Sequence, residues 1–121
     1  MGMVTKRDFF EDLSTALDDW TRVAVESTTS PKADLKWTES PVPYQALQHA
    51  ISSSGIDPSV LHQVFSECFR GFAVSMLTIV DGGTASAEKG RLHLVDSNQA
   101  SLGEELHQDF VGYLLDSGKM K

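Results

Sequence analysis

The stretch from Pro58 to Val80 has the pattern of one long α-helix. Asp57 suits the N-cap and Pro58 the first helical position, where a missing N–H costs nothing. Asp81-Gly82-Gly83 provides a stop, because Gly82 can adopt the left-handed conformation that closes helix ends. Apolar residues recur at spacings of three and four, which predicts one apolar stripe: Leu61, Phe65, Cys68, Phe72, Met76 and Ile79.

The two halves of this helix differ in polarity. The first half keeps a polar face, whereas from Phe69 onward apolar residues occupy nearly every side. A helix that is apolar all round is normally buried. We therefore expect the second half to be enclosed by the rest of the chain or by a partner. Arg70 is the charge at the transition; it is either buried in an ion pair or extended with its head in water.

The 121 residues suit a single domain, 1–121, with one core. The formal net charge is −7, with −4 over residues 1–60 and −3 over residues 61–121. This even spread predicts no acidic tail and no direct nucleic-acid partner, since nucleic-acid binding needs a basic surface. A basic protein partner is compatible with the charge.

The cysteine count and the lengths of the apolar runs indicate in which cellular compartment the protein is expected. Cys68 is the only cysteine, so no internal disulfide is expected. The first residues lack an apolar signal core. The longest apolar run, Gly71 to Val80, is shorter than the roughly 20 residues of a membrane span. The expectation is a cytoplasmic protein with no membrane partner.

A first helix is predicted from about Lys6 to Val25. Its inward stripe has the helical spacing and comprises Phe9, Phe10, Leu13, Ala16, Leu17, Trp20 and Val23. Its opposite face is acidic, at Asp8, Glu11, Asp12, Asp18 and Asp19. That face is either a docking surface or a solvated face whose early acids favour the helix N-terminus. Surface helices usually have such a face, which favours the second interpretation.

Residues 27–43 read as a long loop, rich in Ser, Thr and Pro, with one short strand permitted around Leu35 and Trp37. Trp37 either pins the loop to the core or presents an aromatic contact to a partner. The usual burial of large aromatics favours the pin. Beyond the loop, a short helix over residues 44–53 precedes the central helix.

Alternation predicts a second strand, Arg91 to Val95, paired with the segment around Trp37. Ser101 and Glu104 have capping-box spacing, which predicts a final helix over residues 103–116. The predicted fold is α+β and mainly α. About four helices surround the long central helix (58–80), with a minor two-stranded β ribbon.

No catalytic constellation is recognisable. His49, His62, His93 and His107 form no H-x-x-x-H pair, and no cysteine cluster accompanies them. The loop after Asp81 follows a helix C-terminus, where carbonyls point outward, so it does not suit phosphate. We predict no catalytic, metal or cofactor-binding residue and no cofactor. This favours a protein that is not an enzyme, without deciding the question.

The C-terminal half resembles small uncharacterised bacterial proteins, some of them like immunity proteins of toxin–antitoxin or contact-dependent inhibition systems. The segments that carry the resemblance are Leu77–Thr84, Leu92–Asp96 and Leu106–Phe110. The resemblance covers about half of the chain, and its motifs are structural rather than catalytic. The resemblance implies a small acidic cytoplasmic protein that binds a partner, and it supplies no active site.

Three functional hypotheses follow. The first is an immunity-like interaction module that binds and neutralises a basic toxin or enzyme. Its candidate partner-binding residues are Asp12, Asp18, Asp19, Trp37, Glu105 and Asp109. The alternative is a small-molecule-binding or enzymatic domain, with a pocket between the central helix and the 34–43 loop. The third hypothesis is a homodimer formed through spare apolar surface of the central helix.

Overall fold

A computed structural model describes residues 3–121. Its α-helices are α1 (Lys6–Thr29), α2 (Val42–Ser54), α3 (Pro58–Val80) and α4 (Leu106–Asp116), and a short 3-10 helix spans Ala85–Glu88. The prediction of a mainly helical protein with four helices is therefore confirmed. The central helix has the bounds that its cap and stop residues predicted.

The predicted β ribbon is wrong, because residues 3–121 contain no strand. The segment around Trp37 is folded into turns, in which Thr38 donates its N–H to the carbonyl of Leu35. Val95 forms one isolated antiparallel bridge, and its partner is the nearby Ser101. The alternating apolar residues thus satisfy their backbone groups locally instead of pairing with each other.

Two other segment boundaries also differ from the prediction. α1 runs one turn further than expected, to Thr29, where the hydroxyls of Thr28 and Thr29 donate to carbonyls of the preceding turn. The loop therefore spans residues 30–41 rather than 27–43. The predicted capping box is absent, since the Ser101 hydroxyl accepts the N–H of Gly103 and α4 begins only at Leu106.

The chain falls into two compact units. Unit 1 comprises the described residues up to Ala16 together with Arg70–Lys121, and unit 2 comprises Leu17–Phe69. α1 and α3 each contribute residues to both units. The single domain expected from chain length stays a prediction.

Unit 1 is built on an apolar core. Its fully or nearly buried members are Phe10, Ala73, Leu77, Leu102, Leu106, Phe110 and Leu114. The rings of Phe10 and Phe110 lie 5.3 Å apart in a tilted arrangement that favours aromatic contact. Lys119 donates to the buried hydroxyl of Ser14 at 2.8 Å. This bond ties the C-terminal residues of the chain to α1.

The rest of the chain encloses only one side of the second half of α3. Ala73 and Leu77 are buried, but Phe72 is 69% exposed and Met76 51% exposed. The predicted inward stripe therefore points largely to solvent along this half, because the buried side of α3 is the one that carries Ala73 and Leu77. A helix that is apolar all round does not reveal from sequence which of its sides is covered.

Asp81, at the end of α3, caps the start of α4. Its carboxylate accepts the backbone N–H of Leu106 at 2.9 Å and that of His107 at 2.8 Å, and it also contacts the His107 ring Nδ1. Arg91 donates to the Asp81 carbonyl at 2.8 Å. The first N–H groups of a helix need such acceptors, and here the acceptor is 25 residues away in sequence.

The environment of Asp81 also shifts its acidity. Burial opposes the charged form, since the side chain is only 7% exposed. The hydrogen bonds from the backbone and ring of His107 and the backbone of Leu106, with the charge of His107, outweigh that burial. They hold the pKa of Asp81 below its ordinary value.

Gly82 has a conformation that only glycine adopts easily, with φ of +83°. A Cβ at this position would lie 2.6 Å from the Arg91 side-chain nitrogen. We expect Gly82→Ala to lower the free energy of unfolding by about 1–2 kcal/mol, because it adds backbone strain and displaces Arg91. Urea unfolding measures this loss. Gly90→Ala, where a Cβ meets open space, is the matched control and should cost clearly less.

Candidate partner-binding site

Unit 2 brings three aromatic residues together from three different segments. Trp20 comes from α1, Trp37 from the loop and Tyr44 from the first turns of α2. The ring centroids of Trp20 and Trp37 are 5.3 Å apart, and those of Trp37 and Tyr44 are 5.7 Å apart. Both contacts are edge-to-face, at interplanar angles of 75° and 71°, which is a favoured geometry for aromatic pairs.

The loop that carries Trp37 is shaped by local hydrogen bonds. The Asp34 carboxylate accepts the N–H of Lys36 at 2.9 Å, and the Thr38 hydroxyl donates to the Leu35 carbonyl at 2.6 Å. At the other end of unit 2's α1 segment, the buried Gln48 of α2 donates to the Ser27 carbonyl at 2.9 Å. This bond joins α2 to α1 and so fixes the two helices that flank the loop.

The aromatic residues remain widely accessible despite these contacts. Trp20 is 51% exposed and Trp37 is 49% exposed. Trp37 therefore combines the two roles that the sequence left open. It anchors the loop on Trp20 and Tyr44, and it leaves about half of its surface exposed for contact with a partner. Large aromatics exposed in this way are typical of interaction sites, where Trp and Tyr are the frequent anchors of binding.

Trp37 borders a cleft of about 580 Å³, which we call the aromatic cleft. Its walls come from the loop and from α2, and its lining residues are Trp37, Thr38, Glu39, Ser40, Pro43, Tyr44 and Leu47. Leu47 is exposed, as is Val42 nearby on α2. The cleft thus offers apolar surface with hydroxyl groups and one carboxylate at its edge.

Glu39 is the charged residue that lines the aromatic cleft. No hydrogen bond or ion pair joins its carboxylate to another residue within 3–121. Asp18 and Asp19 directly precede Trp20 in α1, and Asp19 forms a loose exposed ion pair with Arg22 at 3.4 Å. Exposed pairs of this kind contribute little. The Glu39 carboxylate therefore stays available to a cationic partner, and the Asp19 pair compensates little of that residue's charge.

The structure divides the six residues that sequence reasoning nominated. Asp18, Asp19 and Trp37 belong to unit 2, whereas Asp12, Glu105 and Asp109 belong to unit 1.

The three acidic residues of unit 1 differ in their contacts with the rest of the chain. Asp12 is exposed on α1, and Glu105 is the exposed N-cap of α4, in a left-handed conformation. Asp109 is already paired, since Lys6 contacts its carboxylate at 2.6 Å and also donates to the Glu104 carbonyl. Its charge is therefore partly compensated within the chain.

Sequence reasoning missed three residues of the site: Trp20, Tyr44 and Leu47. Trp20 fits the helical spacing of the inward stripe, so its exposure is not visible in the sequence. The available signal was composition, because the chain has only two tryptophans and both are here. Neither tryptophan belongs to the buried hydrophobic residues, which are Ala, Leu and Phe, and this favours a surface role for both.

Within residues 3–121 no three His, Cys, Asp or Glu side chains are grouped to hold a metal ion. In the same part of the chain no helix has the length and apolarity to cross a membrane. Comparison of the chain with protein-family models, curated proteins and solved structures finds no significant match.

Proposed function

We propose that this chain is an interaction module that binds a basic protein partner through the aromatic cleft of unit 2. The observation that carries the proposal is the pair Trp20 and Trp37, which are in edge-to-face contact yet about half exposed beside the cleft. Such a surface supplies a desolvating anchor at low entropic cost, and fixed aromatic rings are frequent binding hot spots.

The charge of the protein supports a basic partner. The chain has a net charge of −7, Glu39 lines the aromatic cleft, and Asp18 and Asp19 directly precede Trp20 along α1. Complementary charge speeds encounter and discriminates between partners more than it adds affinity. Together with the resemblance of the C-terminal half to immunity proteins, this supports a cytoplasmic module that neutralises a basic toxin or enzyme by covering it.

Charge reversal tests the electrostatic part of the proposal. We expect the double variant Asp18→Lys/Asp19→Lys to slow association with the partner by about tenfold at low salt, with the difference shrinking at high salt. The measurement is the association rate constant, by stopped-flow fluorescence or surface plasmon resonance.

The matched control for this test reverses Asp12 and Glu105, both exposed in unit 1, to lysine. Its effect should be smaller, since neither acid lines the aromatic cleft or adjoins a tryptophan along the chain. Association rates that neither double variant changes would refute charge-guided binding.

The aromatic cleft also favours a second candidate function, the binding of a small apolar molecule. Its volume of about 580 Å³ lies within the usual range of small-molecule sites. The cleft lies between the loop and α2, and no residue of α3 lines it. A ligand of this class would raise the melting temperature of the native protein and would not raise that of Leu47→Glu.

A further inference from the structure

The described residues that line the aromatic cleft carry a single charge, that of the exposed Glu39. No lysine or arginine is among those lining residues. Lys36 adjoins Trp37 in the sequence, but it lines a second cavity of the loop. A carboxylate without a cation in its own cleft makes the local potential negative. The cleft therefore attracts a cationic group.

The Glu39 carboxylate is also free to accept hydrogen bonds, whereas the two aliphatic hydroxyl groups of the cleft are engaged within the chain. The Thr38 hydroxyl donates to the Leu35 carbonyl at 2.6 Å. The Ser40 hydroxyl accepts the N–H of Val42 at 3.3 Å. In the described part of the chain, the Glu39 carboxylate has neither a hydrogen bond nor an ion pair. A bound group with N–H donors thus finds its acceptor at Glu39.

Two aromatic rings line the same cleft as this carboxylate, those of Trp37 and Tyr44. They are in edge-to-face contact, and Trp37 is also held by its contact with Trp20. Rings that are fixed in this way lose little conformational entropy when a ligand covers them. The face of an aromatic ring attracts a cation, and the attraction is strongest for tryptophan. The rings and the carboxylate therefore favour the same ligand, a cation on an apolar stem.

An arginine side chain meets both requirements better than other side chains do. Its planar guanidinium stacks on an aromatic face and can donate two parallel N–H groups to one carboxylate. A lysine ammonium has the charge without the planar shape. A neutral apolar side chain that covered the cleft would take water away from the Glu39 carboxylate without pairing it, which costs free energy.

We propose that the aromatic cleft receives an arginine side chain of the basic protein partner. The guanidinium stacks on the aromatic wall formed by Trp37 and Tyr44 and pairs with the Glu39 carboxylate. The inference rests on the proposed function, because it names the group through which that partner binds. Glu39 then sets specificity, since its charge favours a cation and disfavours a neutral side chain.

Matched short peptides test the inference without the partner. The first is the capped tripeptide glycine–arginine–glycine, and the second has citrulline in place of arginine, with a neutral urea group of nearly the same shape. A third peptide carries lysine at that position. Binding is followed by the emission of the two tryptophans, both of which belong to this site. We expect the arginine peptide to bind about tenfold more tightly than the citrulline peptide, and more tightly than the lysine peptide.

Two substitutions of glutamate by glutamine assign the preference to one carboxylate. Glu39→Gln keeps the size of the side chain and removes its charge, so the preference for arginine over citrulline should fall to about twofold. Glu26→Gln is the matched control, because Glu26 is exposed on the α1 segment of unit 2 and does not line the cleft. It should keep the native preference.

Binding of the partner separates this inference from the proposed function. Suppose that Trp37→Ala weakens binding of the partner, but the native chain binds the arginine and citrulline peptides equally or binds neither. The proposed function then stands and the arginine assignment is wrong. The assignment is equally wrong if the lysine peptide binds as tightly as the arginine peptide, or if Glu39→Gln and Glu26→Gln behave alike. Partner binding that Trp37→Ala leaves unchanged would overturn the proposed function and the inference with it.

Discussion

Replacement of Trp37 by alanine should weaken binding of the protein partner by about 30-fold to 1000-fold, or about 2–4 kcal/mol. The Trp37 side chain lines the aromatic cleft and also contacts the rings of Trp20 and Tyr44. About half of its surface is exposed and can be covered by a partner. Its loss removes the anchor and also loosens the two neighbouring rings. The measurement is the dissociation constant with the purified partner.

Two further variants separate lost contact from lost folding. Leu47→Glu leaves the aromatic contacts intact and places a charge in the aromatic cleft, so it should weaken binding while the circular dichroism spectrum stays native. Ile56→Ala removes an exposed apolar side chain of unit 2 that does not line the cleft, and it should bind like the native chain. Equal affinity in all three variants would contradict the proposal.

Intrinsic fluorescence gives an independent readout of the same site. The chain has two tryptophans, and both belong to the aromatic group. A partner that covers them should shift the emission to shorter wavelengths, since it replaces water around the rings. A change confined to other spectroscopic signals would indicate binding elsewhere on the chain.

Substitution of Asp81 by asparagine should lower the free energy of unfolding by about 2–3 kcal/mol and the melting temperature by about 10 °C. The buried carboxylate accepts three hydrogen bonds at the start of α4 and its position is fixed by Arg91. An amide keeps one acceptor oxygen and turns a donor toward other donors. Asp12→Asn, an exposed aspartate on α1, is the control and should change stability little.

The effect of Asp81 should depend on pH in a defined direction. Its pKa in the folded protein lies below the ordinary 3.8. The charged carboxylate therefore stabilises the fold fully above the unfolded-state pKa, and this stabilisation is lost as pH falls through the folded-state pKa. Urea unfolding should show the gap between the native chain and Asp81→Asn intact at neutral pH and narrowed in strong acid. A gap that is constant over this window would contradict the assigned role of the carboxylate.

The elements that sequence predicted well are those with local signals. The bounds of α3 followed from Asp57, Pro58 and the glycines after Asp81, because caps and stops act within one turn of the chain. The failures concern relations between distant residues. The cap of α4 comes from Asp81 rather than from Ser101, and no local pattern connects positions 25 residues apart.

The candidate site shows the same division. The sequence predicts Trp37 as a candidate partner-binding residue of the loop. Its neighbours Trp20 and Tyr44 lie in two other segments, so their proximity to it is not predicted. The sequence also did not show which side of α3 is exposed, since Phe72 and Met76 belong to a hydrophobic pattern typical of a core helix. Spacing reports which residues share a face of a helix, and only packing decides which face is covered.

The most direct test of partner binding through the aromatic cleft is a quantitative pull-down from the native host. The bait is the native chain, Trp37→Ala or Ile56→Ala, and each is washed at low and then high salt. The account predicts one stoichiometric basic protein, captured by the native chain and by Ile56→Ala, released by salt and absent with Trp37→Ala. The same protein captured equally by all three baits, or no stoichiometric protein with any of them, would contradict it.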